Sequence, residues 1–268
     1  MSSLLTVPTI PRRLPAAQRR SGLGHGVKRV SAGLAVAATL GGLACPSLAQ
    51  APAGQEGTAA VAAPAMAERM QACVMCHGRE GRATSAGYFP RIAGKPEGYL
   101  FNQLQNFRDG RRRNAAMNHL MQHMSDDYLR DIAVYFSRLD LPYPPTRPSG
   151  LTAEQAHLAE TLVQRGVPER QLPACVACHG ASMAGRLPAM PGLLTLPADY
   201  LIGQLGAWQT GLRHAKAPDC MAEVARRLTA EEVGVVARWL SARTVPAGTK
   251  PEAAGSEALP MQCGSVAP

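Results

Sequence analysis

Apolar residues recur at helical spacing in two well-separated stretches of the chain. Leu129, Ile132, Ala133 and Phe136 stand at i, i+3, i+4 and i+7, one face of a 3.6-residue helix. Val233, Val236, Ala237 and Leu240 repeat that frame, opened by the capping box Thr229-Ala230-Glu231-Glu232. A second capping box, Thr152-Ala153-Glu154-Gln155, starts a helix expected to reach about Gly166. Stretches near 97–109 and 199–210 set Tyr, Leu and Phe or Trp on one face, and a weaker helical stretch lies near 64–72. No segment alternates convincingly as a strand. The pattern predicts an all-α chain, with proline-dense residues 141–150 as an extended connector.

The chain is a tandem repeat. Cys73-Val74-Met75-Cys76-His77-Gly78 recurs as Cys175-Val176-Ala177-Cys178-His179-Gly180. Pro90, Pro96, Tyr99, Leu100, Gln103, Leu104, Phe107, Gly110 and Arg112 match Pro191, Pro197, Tyr200, Leu201, Gln204, Leu205, Trp208, Gly211 and Arg213, each at an offset of 101. Met117, Ser125 and Tyr135 match Met221, Thr229 and Trp239 at an offset of 104.

Composition alters the picture at the N-terminus. Residues 1–49 hold six basic side chains, no acidic one, and a small apolar run from Val30 to Ala44 before Ser47-Leu48-Ala49. They are expected to be an export signal cleaved after Ala49, with an uncleaved anchor as the alternative. The apolar run is short of the ~20 residues a membrane span needs. Without this segment the formal charge falls from +9 to +3, as 22 basic residues face 19 acidic. A nucleic-acid partner therefore loses its main support. The expected division is a leader at 1–49, repeat units at 50–142 and 151–243, a linker at 143–150 and a tail at 244–268.

Six cysteines remain after Ala49: two pairs, then Cys220 and Cys263. C-x-x-C-H on an exported helical chain points to covalent haem. The two thiols add to the porphyrin vinyl groups and the adjacent His binds iron. A structural zinc site would need four converging ligands, and a redox dithiol would want a βαβ pattern, which is missing. The reading is therefore two covalently bound haem c groups, on Cys73, Cys76 and His77, and on Cys175, Cys178 and His179. The sixth ligand decides between a closed carrier iron and a reactive one. Met117, Met121, Met124, His119 and His123 compete in the first unit. In the second, Met183 and Met190 come before the middle helix, Met261 lies in the tail, and Met221 alone occupies the loop before the last helix. Met221 projects back through the repeat onto Met117, eight residues before Ser125 as Met221 is before Thr229. Met121 and Met124 are then expected to pack.

On these residues the chain resembles the dihaem cytochrome c4 family, tandem class-I cytochrome c units, over roughly 65–243. Phe89-Pro90-Arg91-Ile92-Ala93-Gly94, Tyr99-Leu100 with Gln103-Leu104, Phe107-Arg108-Asp109-Gly110 and Ser125-Asp126-Asp127 carry the likeness beside the two haem motifs. The resemblance implies that the carbonyls of Pro90 and, by repeat, Pro191 hold the proximal histidines. The second unit departs from the pattern in its loose Leu187-Pro188-Ala189-Met190-Pro191-Gly192 segment and in Asp219-Cys220-Met221. Cys220 is open to three readings: a packing thiol, an alternative iron ligand, or a disulfide partner of Cys263. The favoured bridge would close a loop of about 44 residues, worth about 4 kcal/mol in the chain-entropy model. Arg112 and its repeat Arg213 are candidates for contact with haem propionates.

Three functions compete. The leading one is a periplasmic electron carrier serving redox protein partners, membrane-bound or soluble, with no catalytic residues, small-molecule substrate or nucleic acid. The second is a dihaem peroxidase in which one iron lacks its Met. The third is the haem subunit of a periplasmic dehydrogenase complex, for instance an alcohol- or sulfide-oxidising flavoprotein.

Overall fold

The chain is described by a computed structural model covering residues 65–84, 88–255 and 258–266; the leader expected at 1–49, with Cys45, lies outside the described residues. Helix formation follows the caps. The Glu232 N–H donates to Thr229 Oγ1 at 3.2 Å and the Thr229 N–H returns to the Glu232 carboxylate at 2.8 Å. From there α10 runs Ala230–Ser241. The same reciprocal pair joins Thr152 and Gln155 and opens α6, Ala153–Gln164. Ser125 caps α5, Asp126–Ser137. Each such cap is worth about 1 kcal/mol.

The first half comprises α1 (Met66–Arg69), α2 (Gln71–His77), α3 (Glu97–Arg108), α4 (Ala115–Met121) and α5. Helices α3 and α5 pack together and close over Met70, Leu100, Leu129, Ile132 and Phe136. The second half has α6, α7 (Cys175–His179), α8 (Ala198–Gln209), α9 (Cys220–Arg226) and α10. There α10 lies against both α6 and α8, around Leu162, Val163, Leu201, Val235 and Leu240.

Two features differ from the periodicity. Met117 and Met221 sit on the short helices α4 and α9 rather than in loops. Asn114 Oδ1 accepts from the Met117 N–H at 3.1 Å and Asp219 Oδ1 from the Ala222 N–H at 3.1 Å. Seven residues give too few turns for an apolar stripe to stand out. A small antiparallel ladder also pairs β1 (Gly185–Arg186) with β2 (Met190–Pro191). Gly185 has φ of +103°, and a Cβ there would stand 2.6 Å from the Met190 carbonyl oxygen. Two residues per strand leave no alternation to read.

The halves meet about a local pseudo-two-fold, in which equivalent residues pair with one another. Arg112 and Arg213 form an antiparallel bridge. Arg112 Nη1 donates to Gln103 of its own half at 2.9 Å and Nη2 to Gln204 across the interface at 2.8 Å. Arg213 reverses the pattern, reaching Gln204 at 2.7 Å and Gln103 at 2.9 Å. Each guanidinium also lies over the aromatic ring of its own half, Arg112 over Phe107 at 4.5 Å and Arg213 over Trp208 at 3.7 Å.

The tail returns over the second half. The Glu252 N–H donates to Gly185 O and its carbonyl accepts from the Leu187 N–H, both at 2.8 Å. Farther on, Cys263 is disulfide-bonded to Cys220. Ser265 O accepts from Asn102 Nδ2 of the first half at 2.7 Å.

Candidate haem-binding sites

Helical spacing sets the attachment chemistry. Cys73 and Cys76 stand at i and i+3 on α2, so both thiols share a face, and His77 ends the helix. The next residue must turn the chain sharply. Gly78 does so at φ of +76°, and a Cβ there would lie 2.3 Å from the Ala83 carbonyl oxygen. Cys175, Cys178, His179 and Gly180 repeat the arrangement on α7, with Gly180 at φ of +83°.

Both histidines are buried and oriented in the same way. His77 Nδ1 lies 2.9 Å from the Pro90 carbonyl oxygen and His179 Nδ1 2.8 Å from that of Pro191. A carbonyl only accepts, so Nδ1 carries the proton and Nε2 keeps its lone pair for a metal. Burial pushes both imidazoles below the ordinary histidine value against the raising effect of the proline carbonyls. Arg112 lowers His77 further, and Lys95 does so for His179. Both rings are thus held neutral, the ligating form.

The thiols are not those of a reactive dithiol. Burial raises Cys73, with Cys76 adding to the effect, and burial raises Cys178. Burial and Cys178 push Cys175 up to about 11. A dithiol oxidoreductase needs the reverse shift. Nor do the described residues contain a group of three or more His, Cys, Asp or Glu able to hold a metal.

One cavity, lined mainly by apolar side chains, takes in both motifs together with Met117 and Met221. Met121 borders it from the core, buried at 2% exposure. His119 and His123 are exposed and away from its walls. Cys220 is bonded to Cys263 and Met221 follows it directly on α9.

The polar part of the wall tests whether a haem fits. Arg112, Arg213 and Lys95 all line the cavity and are buried, and among the described residues none is ion-paired. Burial draws Arg213 down to about 10, with Arg112 beside it adding to the effect. Cations buried without carboxylates call for an anion. Trp208 Nε1, also in the cavity wall, is a buried donor with no acceptor. An apolar disc bearing carboxylates, two thiol-reactive vinyl groups and a metal suits this donor set, and the residues fit haem c. The sequence repeat already marked Tyr99, Tyr200, Gln103 and Gln204 without giving them a role. Lys95 went unnoticed because its repeat partner is Leu196.

No protein-family profile matches the chain. The thiosulfate dehydrogenase electron acceptor of Thiomonas intermedia is 37% identical over 64% of this chain and 78% of its own length. A protein of the same description from Stutzerimonas stutzeri is 35% identical over 63% and 78%. Cytochrome c4 of Thiocapsa roseopersicina is 32% identical over 63% of this chain and 85% of its own. Among solved structures, reduced cytochrome c4 from Pseudomonas stutzeri superposes with a TM-score of 0.57 at 28% identity, covering 66% of this chain and 95% of that one. Thiosulfate dehydrogenase TsdBA from Marichromatium purpuratum gives 0.58 at 33% identity over 64% of this chain, which spans only 36% of that longer protein.

Proposed function

Because the chain belongs to the dihaem cytochrome c4 family of electron-transfer proteins, we propose that each of its two haems is held between a histidine and a methionine. His77 and Met117 serve one iron and His179 and Met221 the other. On this reading the mature chain, divided into haem units at 50–142 and 151–243, passes single electrons between redox protein partners in the periplasm.

The observation that carries the proposal is the repeated wall of the cavity. In each half it brings together a cysteine pair, a histidine fixed by a proline carbonyl, and the methionine of the following short helix. Haem iron, when bound, supplies the one-electron chemistry. The residues do the rest. Cysteine thioethers hold the ring, and the Nδ1 bond stops the imidazole from rotating and increases its basicity. The thioethers of Met117 and Met221 would supply the second protein ligand to each iron, a ligand type that favours the ferrous state. Buried Arg112, Arg213 and Trp208 Nε1 offer donors to the propionates.

The test is the ferric absorption spectrum of the haem-loaded protein, with the far-red methionine–iron band measured per haem. Two bands' worth of intensity are expected, halved in Met117→Ala and again in Met221→Ala. Full intensity in either variant overturns that ligand; one band or none in the wild type makes an open, peroxide-reactive iron the better reading.

A second reading specifies the donor. The 37% and 35% identical relatives are thiosulfate dehydrogenase electron acceptors, which supports a dehydrogenase of that class as this chain's source of electrons. Mixed with thiosulfate and such a dehydrogenase, the protein is expected to take up one electron on each of its two haems, thiosulfate being oxidised by the dehydrogenase. No reduction beyond that by thiosulfate alone returns it to the position of a general shuttle.

A further inference from the structure

The C-terminal tail covers one half of the molecule only. Glu252 is seated on the turn that follows the second attachment motif. Its Oε1 accepts from the Ser182 N–H at 3.2 Å and from Ser182 Oγ at 3.4 Å, and its Oε2 pairs with Arg186 at 3.7 Å. A Cβ on Gly180, next to His179, would stand 2.8 Å from that carboxylate, and Gly180 is buried. Farther along, Cys263, Ser265 and Val266 form part of the cavity wall, with Cys263 bonded to Cys220 beside Met221. The tail thus lies over the second half both after its cysteine pair and beside its methionine.

The equivalent surface of the first half is bare. Gly78 is only half-buried, and a Cβ there would meet Ala83 and Thr84 of its own loop. Cys76 is exposed where Cys178 is half-buried. Tyr88 and Leu120 line the cavity and are 60% and 39% exposed, whereas Val224, the repeat counterpart of Leu120, packs against the second core. Met75, between the cysteines, is 82% exposed. The large exposed apolar residues of the second half stand away from the cavity wall. At the open rim Arg79 and Arg113 are exposed and, among the described residues, free of ion pairs. An apolar centre edged by charge is the make-up of a protein interface. The second half shows what such a rim takes: a carboxylate on the turn after the histidine, faced by an arginine. Electron transfer falls off steeply with distance, so a segment laid over a haem's surroundings keeps a partner protein away from it.

We propose that the tail is an internal occupant of the second half's docking face, so that redox proteins exchange electrons with this chain through the first half alone. The surface they bring is acidic, with carboxylates for Arg79 and Arg113 around an apolar patch that meets Met75, Tyr88 and Leu120. The proposal rests on the two-haem reading above. Single electrons reach and leave the second half by way of the first, with no bond made or broken.

The experiment is voltammetry of the haem-loaded full chain on gold coated with a mixed carboxylate- and methyl-terminated thiol monolayer, which stands in for the acidic partner. Arg79→Glu with Arg113→Glu is expected to slow electron exchange about tenfold. Arg165→Glu with Arg238→Glu makes the same change of charge at exposed positions of the second half, and should leave the rate within about twofold of the wild type. Adding Glu252→Ala and Cys263→Ser to the slow variant should restore most of the rate, since the second rim is uncovered and Arg186 loses its partner. Hydrogen exchange reports the tail directly, because the Ser182 and Leu187 amides are bonded to Glu252 in the wild type and lose protection when it leaves. Should they stay protected, Glu252→Lys takes the place of Glu252→Ala and sets like charge against Arg186. An unslowed Arg79 and Arg113 variant, equal slowing by the Arg165 and Arg238 variant, or no recovery once those two amides exchange freely would each overturn the proposal. Haem content and the far-red band, read on the same samples, report separately on the two-haem, His/Met reading, so its failure is distinguishable from failure of this one.

Discussion

Glu232 shows how much one side chain can be asked to do. Its carboxylate closes the capping box of α10 and accepts from Arg170 Nη2 at 2.6 Å. Burial would raise its pKa, but the hydrogen bonds from Arg170 and Thr229 outweigh it, and the group is held below its ordinary 4.5. A carboxyl depressed in the folded state stabilises the fold above its unfolded pKa, and that contribution is lost as pH falls through the folded value. Glu232→Gln keeps the cap and removes only the charge. With the Arg170 side chain 36% exposed, the expected loss at pH 7 is modest, about 0.5–1 kcal/mol. Urea denaturation of the two proteins should give converging stabilities as the pH drops below 4.5. An undiminished gap at low pH would mean that the charge was not the cause.

At the scale of elements, legibility in the sequence tracked length and local chemistry. Helices α5, α6 and α10 were readable because each runs 12 residues and starts at a side-chain cap. Helices α3 and α8 were readable from their repeated aromatic faces. Short α4 and α9 were missed, although Asn114 and Asp219 are ordinary cap residues, because neither is followed by enough periodic sequence. The attachment residues were legible for the same local reason: Cys, Cys and His lie within five residues of one another. The Lys95–Gly192 contact and the Arg112–Arg213 cluster were not, because they join residues about a hundred positions apart, and no local pattern encodes that pairing. The tail is the element most dependent on a single bond. Cys220–Cys263 spans 43 residues, and in the chain-entropy model its loss costs up to about 4 kcal/mol. Cys263→Ser should therefore lower the urea midpoint and expose the tail to protease before the rest of the chain. A variant as stable and as resistant as the wild type would show that the Glu252 contacts hold the tail unaided.

Among the described residues the two halves are organised as the subunits of a dimer would be, with equivalent residues exchanging hydrogen bonds about the Arg112–Arg213 bridge. Lys95 and the tail then add what a true dimer could not have: contacts made in one direction only. Sequence and structure agree on this design at different levels, since the repeat gives the matched positions and the fold turns them towards each other.

The proline-rich connector at 141–150 has a consequence for how strong that interface must be. Two free copies would have to find each other from dilute solution and give up their independent translation and rotation. Joined by a short, semi-rigid tether, the halves meet at an effective local concentration in about the millimolar range. A contact too weak to hold separate molecules is then sufficient here. Covalent continuity thus relieves the Arg112–Arg213 interface of having to grip tightly.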